Sequence, residues 1–172
     1  QLFGSDPEIM GEIAARLEER FDVLDVNMGC PVPKIVRNGE GSALMREPEL
    51  TGRIIKAMVS RVHKPVTVKF RKGFSAGEST APEFAKRMED AGAAAVTVHG
   101  RTREQYYSGK ADWEVLRSVK EAVSIPVIGN GDVFSPEDAK RMLQSTGVDG
   151  IALARAVRGN PWLIRRTIRF LE

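Results

Sequence analysis

The sequence predicts an α/β fold, an arc of a TIM (β/α)8 barrel with about six of the eight strands. Three observations predict it. Apolar runs of strand length alternate with amphipathic stretches of helix length along the whole chain. The strands, starting near residues 21, 66, 94, 125 and 150, read as continuous apolar runs, as expected of parallel strands covered by helices. Every polar cluster follows a strand and none precedes one, the pattern of a barrel's active face. An open doubly wound sheet is the competing fold, but its Gly-x-Gly-x-x-Gly fingerprint after a first strand is absent.

Taken in order, Gln1-Leu2-Phe3-Gly4 reads as the tail of a strand. Asp6 caps a helix with Pro7 at its first position, running to about Glu19 with Ile9, Ile13 and Leu17 on one face. A strand over 21–27 leads into the turn Asn27-Met28-Gly29-Cys30-Pro31. Lys34 to Ala43 reads as a polar, glycine-containing loop, placed to wall a site. A helix over 48–62 turns Leu50, Ile54, Ile55 and Met58 inward. The turn His63-Lys64-Pro65 introduces a strand over 66–70, and His63 is given no role. Thr80 and Glu83 have the spacing of a capping box for a helix that Gly92 stops. A strand over 94–98, a polar loop over 103–112 and a helix over 113–122 follow. The strand over 125–128 ends in Gly129-Asn130-Gly131-Asp132, and Ser135-Pro136 opens a helix to about Gln144. The last strand spans 150–154, and Pro161 opens a terminal helix.

Composition narrows the function classes. At 172 residues and 42% hydrophobic, the chain holds one substantial core and is not disordered. One cysteine excludes an internal disulfide framework and points to a reducing, cytoplasmic compartment. No apolar run is long enough to span a bilayer, so no membrane partner is expected. Gln1 is not an initiator methionine, so the chain is expected to be part of a longer one. With 26 basic against 23 acidic residues, net charge alone does not argue for nucleic acid.

The chemistry is expected at the strand ends. Gly29 allows an unusual backbone and Pro31 restricts Cys30, so a thiol is held at a turn where it can be nucleophile, acid or ligand, or simply a small buried residue. Asn130-Gly131-Asp132 and Ala154-Arg155 offer free N–H groups after two late strands, the usual place for a barrel's phosphate site. Lys69 at a strand end is poor packing filler; it suits a Schiff base or the balancing of an anionic ring. His99 suits a base or a hydrogen-bond donor to the ligand. Two histidines and one cysteine provide no metal-ligand spacing, so no metal site is expected.

These residues also form an ordered set. Asn27-Met28-Gly29-Cys30-Pro31, Gly39 to Met45, Lys69-Phe70-Arg71, His99-Gly100-Arg101-Thr102, Tyr107 to Trp113, Asn130-Gly131-Asp132 and Gly159 to Trp162 occur together and in sequence. With that set the chain resembles the bacterial tRNA-dihydrouridine synthases, nearest the B-type subfamily, over essentially its whole length. The resemblance implies an FMN enzyme that uses NADPH to reduce tRNA uridine to 5,6-dihydrouridine. It implies Cys30 as proton donor to uracil C5, with hydride passing from reduced FMN to C6. Gln1 and Lys69 would hold the flavin ring, with His99 in contact with it. Asn130, Gly131, Asp132, Ala154 and Arg155 would hold the phosphate, and Asn27 and Arg101 would lie near the uracil. Where the family has glycine before the last arginine, this chain has Ala154, which implies a narrower phosphate pocket. The family's two opening strands and its C-terminal helical tRNA-binding domain have no counterpart here, so 1–172 is expected to be a partial FMN-binding barrel domain.

Three other readings stay open at this stage. One is a dihydroorotate- or dihydropyrimidine-dehydrogenase-like flavin barrel acting on a free pyrimidine. Another is an aldolase-like, phosphate-binding lyase using Lys69. The third is a non-catalytic partial barrel that only packs against another chain, or against itself, through unpaired strand edges.

Overall fold

The computed structural model describes residues 1–172. Five strands form one parallel sheet in sequential order: β1 (Leu24–Met28), β2 (Val66–Arg71), β3 (Ala95–His99), β4 (Val127–Asn130) and β5 (Gly150–Ala152). Leu2 adds a single parallel bridge to Val26 on the outer side of β1, where a preceding strand belongs. The helices are α1 (Pro7–Leu17), α2 (Pro33–Arg37), α3 (Pro48–Val59), α4 (Ala81–Asp90), α5 (Glu114–Ala122), α6 (Pro136–Thr146) and α7 (Trp162–Leu171). The longer ones pack in series, α1 on α3, α3 on α4, α4 on α5, α5 on α6 and α6 on α7. A sheet whose order never reverses, covered by neighbouring helices in chain order, is the arc of a barrel. A doubly wound sheet would reverse its strand order at a switch point.

The core sits between sheet and helices. Val26, Met28, Val68, Phe70, Val96 and Val98 point outward from the strands and are fully buried against Ile54, Ile55, Met58, Ala85, Met88 and Leu116. The opposite face of the sheet differs from the expectation of continuous apolar strands. It carries Asp25, Asn27, Thr67, Lys69 and Thr97 in one polar tract, aligned by the register Asp25–Thr67 and Asn27–Lys69–Thr97. Thr67 Oγ1 donates to Asp25 Oδ1 at 2.8 Å and Gln1 Nε2 donates to Asp25 Oδ2, so this face is a hydrogen-bonded interior.

Several boundaries also move. The first full strand starts at Leu24, because Phe21 closes a 3₁₀ turn over Glu18–Arg20 and is exposed. The fourth starts at Val127 and the last ends at Ala152. The expected polar loop 34–43 is partly helical, holding α2 and a 3₁₀ turn over Gly41–Arg46 whose Leu44 and Met45 are buried. The capping box expected at Thr80 does not form: its φ/ψ of −92°/2° is not extended, and its side chain makes no cap bond. The capping box is at α6 instead, where Ser135 and Asp138 satisfy each other's backbone N–H. Asp6 caps α1 as expected. No helix is long and apolar enough to cross a membrane.

Candidate active site

The register brings the carboxyl ends of the strands to one level, with Arg71 beside His99 and His99 beside Asn130, which pairs with Ala152. A cavity of about 280 Å³ opens there. Of the residues expected at a site, Gln1, Asn27, Cys30, Lys69, His99, Asn130, Gly131, Asp132, Ala154 and Arg155 all line it. Arg101 does not; it is 2% exposed and sits behind the wall.

Cys30 hangs from a turn that is tied down on every side. Asn27 Oδ1 accepts the N–H groups of Gly29 (3.1 Å) and Cys30 (2.9 Å). Asn27 Nδ2 donates to Gln1 Oε1 at 2.9 Å. The Cys30 carbonyl accepts the Ser42 N–H at 3.0 Å. Gly41, at φ 59°, lets that second loop approach so closely that a Cβ would lie 3.0 Å from Cys30 Cβ. The loop expected to wall the site lines none of the cavity; it braces the Cys30 turn from behind through these glycine-permitted contacts. Cys30 is half-buried and lines the cavity from this pinned turn.

Cations dominate the floor. Lys69 is pulled down to about 8, first by burial and then by repulsion from Arg71, with Asp25 opposing. His99 is pushed down to about 3 by burial and by Arg71, Lys69, Arg101 and Arg155 around it, so it is neutral at physiological pH. A neutral imidazole offers one N–H and one lone pair to a ligand.

The far end is an anion cradle. The backbone N–H groups of Gly131, Asp132, Ala154 and Arg155 make no hydrogen bond within the protein. Gly131, at φ 125°, has no room for a side chain: a Cβ would lie 2.7 Å from Ala111 Cβ and 3.1 Å from His99 Cδ2. Asn130 Nδ2 donates to the Ala152 carbonyl at 2.7 Å and so ties the two phosphate-type loops together. Ala154 has φ −132° and ψ −98°, outside the left-handed region that favours glycine and outside the extended and right-handed helical regions as well. Arg155 lies over the rings of Tyr107 (4.8 Å) and Phe134 (5.6 Å) and reaches Asp132 at 3.2 Å.

The Asp132 carboxylate is an anion and does not itself meet a phosphate; the residue's free backbone N–H is its part in the cradle. Burial raises its pKa, but hydrogen bonds from Arg101 and the Ala111 N–H, with the charges of Arg101 and Arg155, outweigh this and hold it below the usual carboxylate range. Its φ of 54°, rare for a non-glycine, fits a residue fixed by its partners. Arg101 completes this bracket, donating also to the Ser108 and Gly109 carbonyls. Arg71 and Tyr107 are the functional-looking residues that the strand-end pattern did not single out. An arginine two residues after Lys69, in phase with it along the strand end, was the only signal for Arg71, and its burial shows only in the fold. No cluster of metal-ligating residues is present. An unpaired N–H cradle at one end, an ammonium and a neutral imidazole in the middle and a thiol at the other fit a phosphorylated, anionic ring cofactor such as a flavin mononucleotide.

Comparison with known proteins shows the family. A family model described as dihydrouridine synthase (Dus) matches residues 1–172. The chain is 46% identical over 174 residues to a probable tRNA-dihydrouridine synthase of Rickettsia conorii, covering 100% of this chain and 52% of that protein. It is 42% identical over 173 residues to tRNA-dihydrouridine synthase B of Pseudomonas aeruginosa, covering 100% of this chain and 52% of the other. The chain thus spans about half the length of the curated relatives it matches. Among solved structures, a histamine dehydrogenase from Rhizobium superposes with a TM-score of 0.71 at 17% identity, over 93% of this chain and 27% of that one. A dipeptide epimerase from Enterococcus faecalis gives 0.55 at 17% identity, over 85% of this chain and 35% of that one. At such identity these two likenesses show the fold alone, part of a TIM barrel.

Proposed function

The chain belongs to the dihydrouridine synthase family, and from that premise we propose that the protein reduces uridines of tRNA to 5,6-dihydrouridine with bound FMN and with NADPH as reductant. The observation that carries the reading is the cavity itself, with a thiol at one end and two loops of unpaired N–H groups at the other. Such a flavin brings the two-electron reduction at uracil C6, which no side chain can supply. Gly131, Asp132, Ala154 and Arg155 would hold its phosphate through backbone N–H groups and the Arg155 charge. The Asp132 carboxylate keeps Arg155 in place. Asn130 ties the two loops, and Lys69, Gln1 and neutral His99 line the ring end.

The chain's own step is a proton transfer. Cys30 Sγ–H breaks, the proton passes to uracil C5, and the thiolate regains a proton from water. Asn27 serves the uracil from the cavity wall while its amide fixes the Cys30 turn. Arg101 serves from behind the wall, through Asp132 and the 108–109 carbonyls. A uracil inside folded RNA reaches such a cavity only when lifted from its stack. Exposed Lys34 and Arg37 on α2 and Lys110 on the loop after β3 suit phosphate contacts. A tRNA substrate places the reaction in the cytoplasm. The test uses the natural full-length protein. Released small molecules are analysed after denaturation, and dihydrouridine is measured in tRNA and in free uridine. Absence of flavin after reconstitution, or equal turnover of free uridine and tRNA, would sink this function.

A further inference from the structure

Arg71 is 4% exposed and no carboxylate meets it. Burying a cation without an anionic partner is costly, and here only backbone carbonyls offset it. Its Nε donates to the Gly29 carbonyl at 2.8 Å, the peptide that leads into Cys30. Its Nη1 donates to the carbonyls of Thr102 at 3.0 Å and Tyr106 at 3.1 Å. Tyr106 is held at φ 56°, in the left-handed region that a bulky residue rarely adopts, and that turn aims its carbonyl at the guanidinium. The next residue, Tyr107, lines the cavity and stacks on Arg155. One planar side chain therefore ties the thiol-bearing turn to the loop on the opposite wall. Lysine, with a single point of donation, cannot span these acceptors as a fork does.

We propose that Arg71 is a positioning residue for Cys30, clasping its turn to the 102–107 loop so that the thiol and the Tyr107 wall take up their places together. The inference rests on Cys30 being the proton donor, and its test separates the two ideas. In the unmodified full-length protein, the amides of Gly29, Cys30 and Tyr106 should exchange hydrogen with one common opening free energy. In Arg71→Lys, all three should lose protection together. Flavin content should persist, and uridine reduction should fall by roughly 10–100-fold in kcat with KM unchanged, the cost of a small misplacement of a reacting group. Separate opening energies in the wild type overturn the clasp, and that reading stands even where Arg71→Lys fails to fold. Loss of protection in only one loop overturns it as well. So does a rise in KM with kcat intact, which would make Arg71 a direct substrate contact. Wild-type kcat in Cys30→Ala overturns the proton-donor premise and this inference with it, by a readout independent of exchange.

Discussion

Adding one methyl group at Gly131 should damage both the fold and the anion cradle. Two costs are readable from its surroundings. The φ of 125° is a region that residues with a Cβ avoid, at about 1–3 kcal/mol. The new Cβ would sit 2.7 Å from Ala111 Cβ, a short side chain with little room to swing aside. Overpacking of this kind costs about 1–3 kcal/mol. Gly131→Ala should therefore lose about 2–6 kcal/mol of stability. Gly147→Ala is the internal control. Gly147 also has positive φ, at 71°, but a Cβ there meets nothing within 4 Å. It should lose only the backbone share, about 1–2 kcal/mol. Urea denaturation of the two variants and the wild type reads, as the difference between them, the collision plus the difference between the two backbone shares. Flavin content adds a second readout: it should fall in Gly131→Ala, whose methyl intrudes beside His99, and hold in Gly147→Ala. If the two variants have equal stability and equal flavin content, the close approach at Gly131 is not real and the cradle is misplaced.

Cys30→Ala should leave flavin content intact and lower single-turnover reduction of tRNA uridine by roughly 10²–10⁴-fold, the usual worth of a general acid; a wild-type rate would remove Cys30 from the chemistry. Lys69, lowered to about 8, binds fewer protons than its unfolded counterpart between pH 8 and 10.5, so its contribution to stability rises with pH across that window. Lys69→Met should flatten that part of the stability profile, and an unchanged slope would put the lysine in solvent. His99, lowered to about 3, costs stability as pH falls from 6.5 towards 3, and its imidazole NMR signals should not titrate between pH 5 and 8; a mid-range titration would place it at the surface. Asn27→Ala removes the acceptor for two N–H groups and should cost about 1–3 kcal/mol; protection of the Gly29 and Cys30 amides in that variant would show that the turn stands without it.

The sequence by itself determined the class of fold and the place of the site. Alternating strand and helix patterns, with polar clusters after every strand, are local signals that need no partner to be read. Cys30, Lys69, His99, Asn130, Gly131 and Arg155 all meet at one cavity because each lies at or just past a strand's carboxyl end, and a parallel register brings those ends together. The order of motifs was enough to indicate the family.

Only the tertiary structure decided what each polar group has left to offer. Arg101 and Asp132 read as ligand contacts in the sequence, yet Arg101 is spent on Asp132 and two loop carbonyls, and the Asp132 carboxylate on two arginines. Arg71 looked like one more basic residue of a motif; its acceptors, Gly29, Thr102 and Tyr106, come from other segments, and main-chain carbonyls carry no sequence signature. The same holds for Thr80 and Ser135, both spaced for a capping box, of which only Ser135 has the extended backbone that lets a side chain reach back. Local patterning tells which residues reach a site. Their remaining hydrogen-bonding capacity and their charge depend on burial and on backbone groups brought in from far along the chain, and those are properties of the packed molecule.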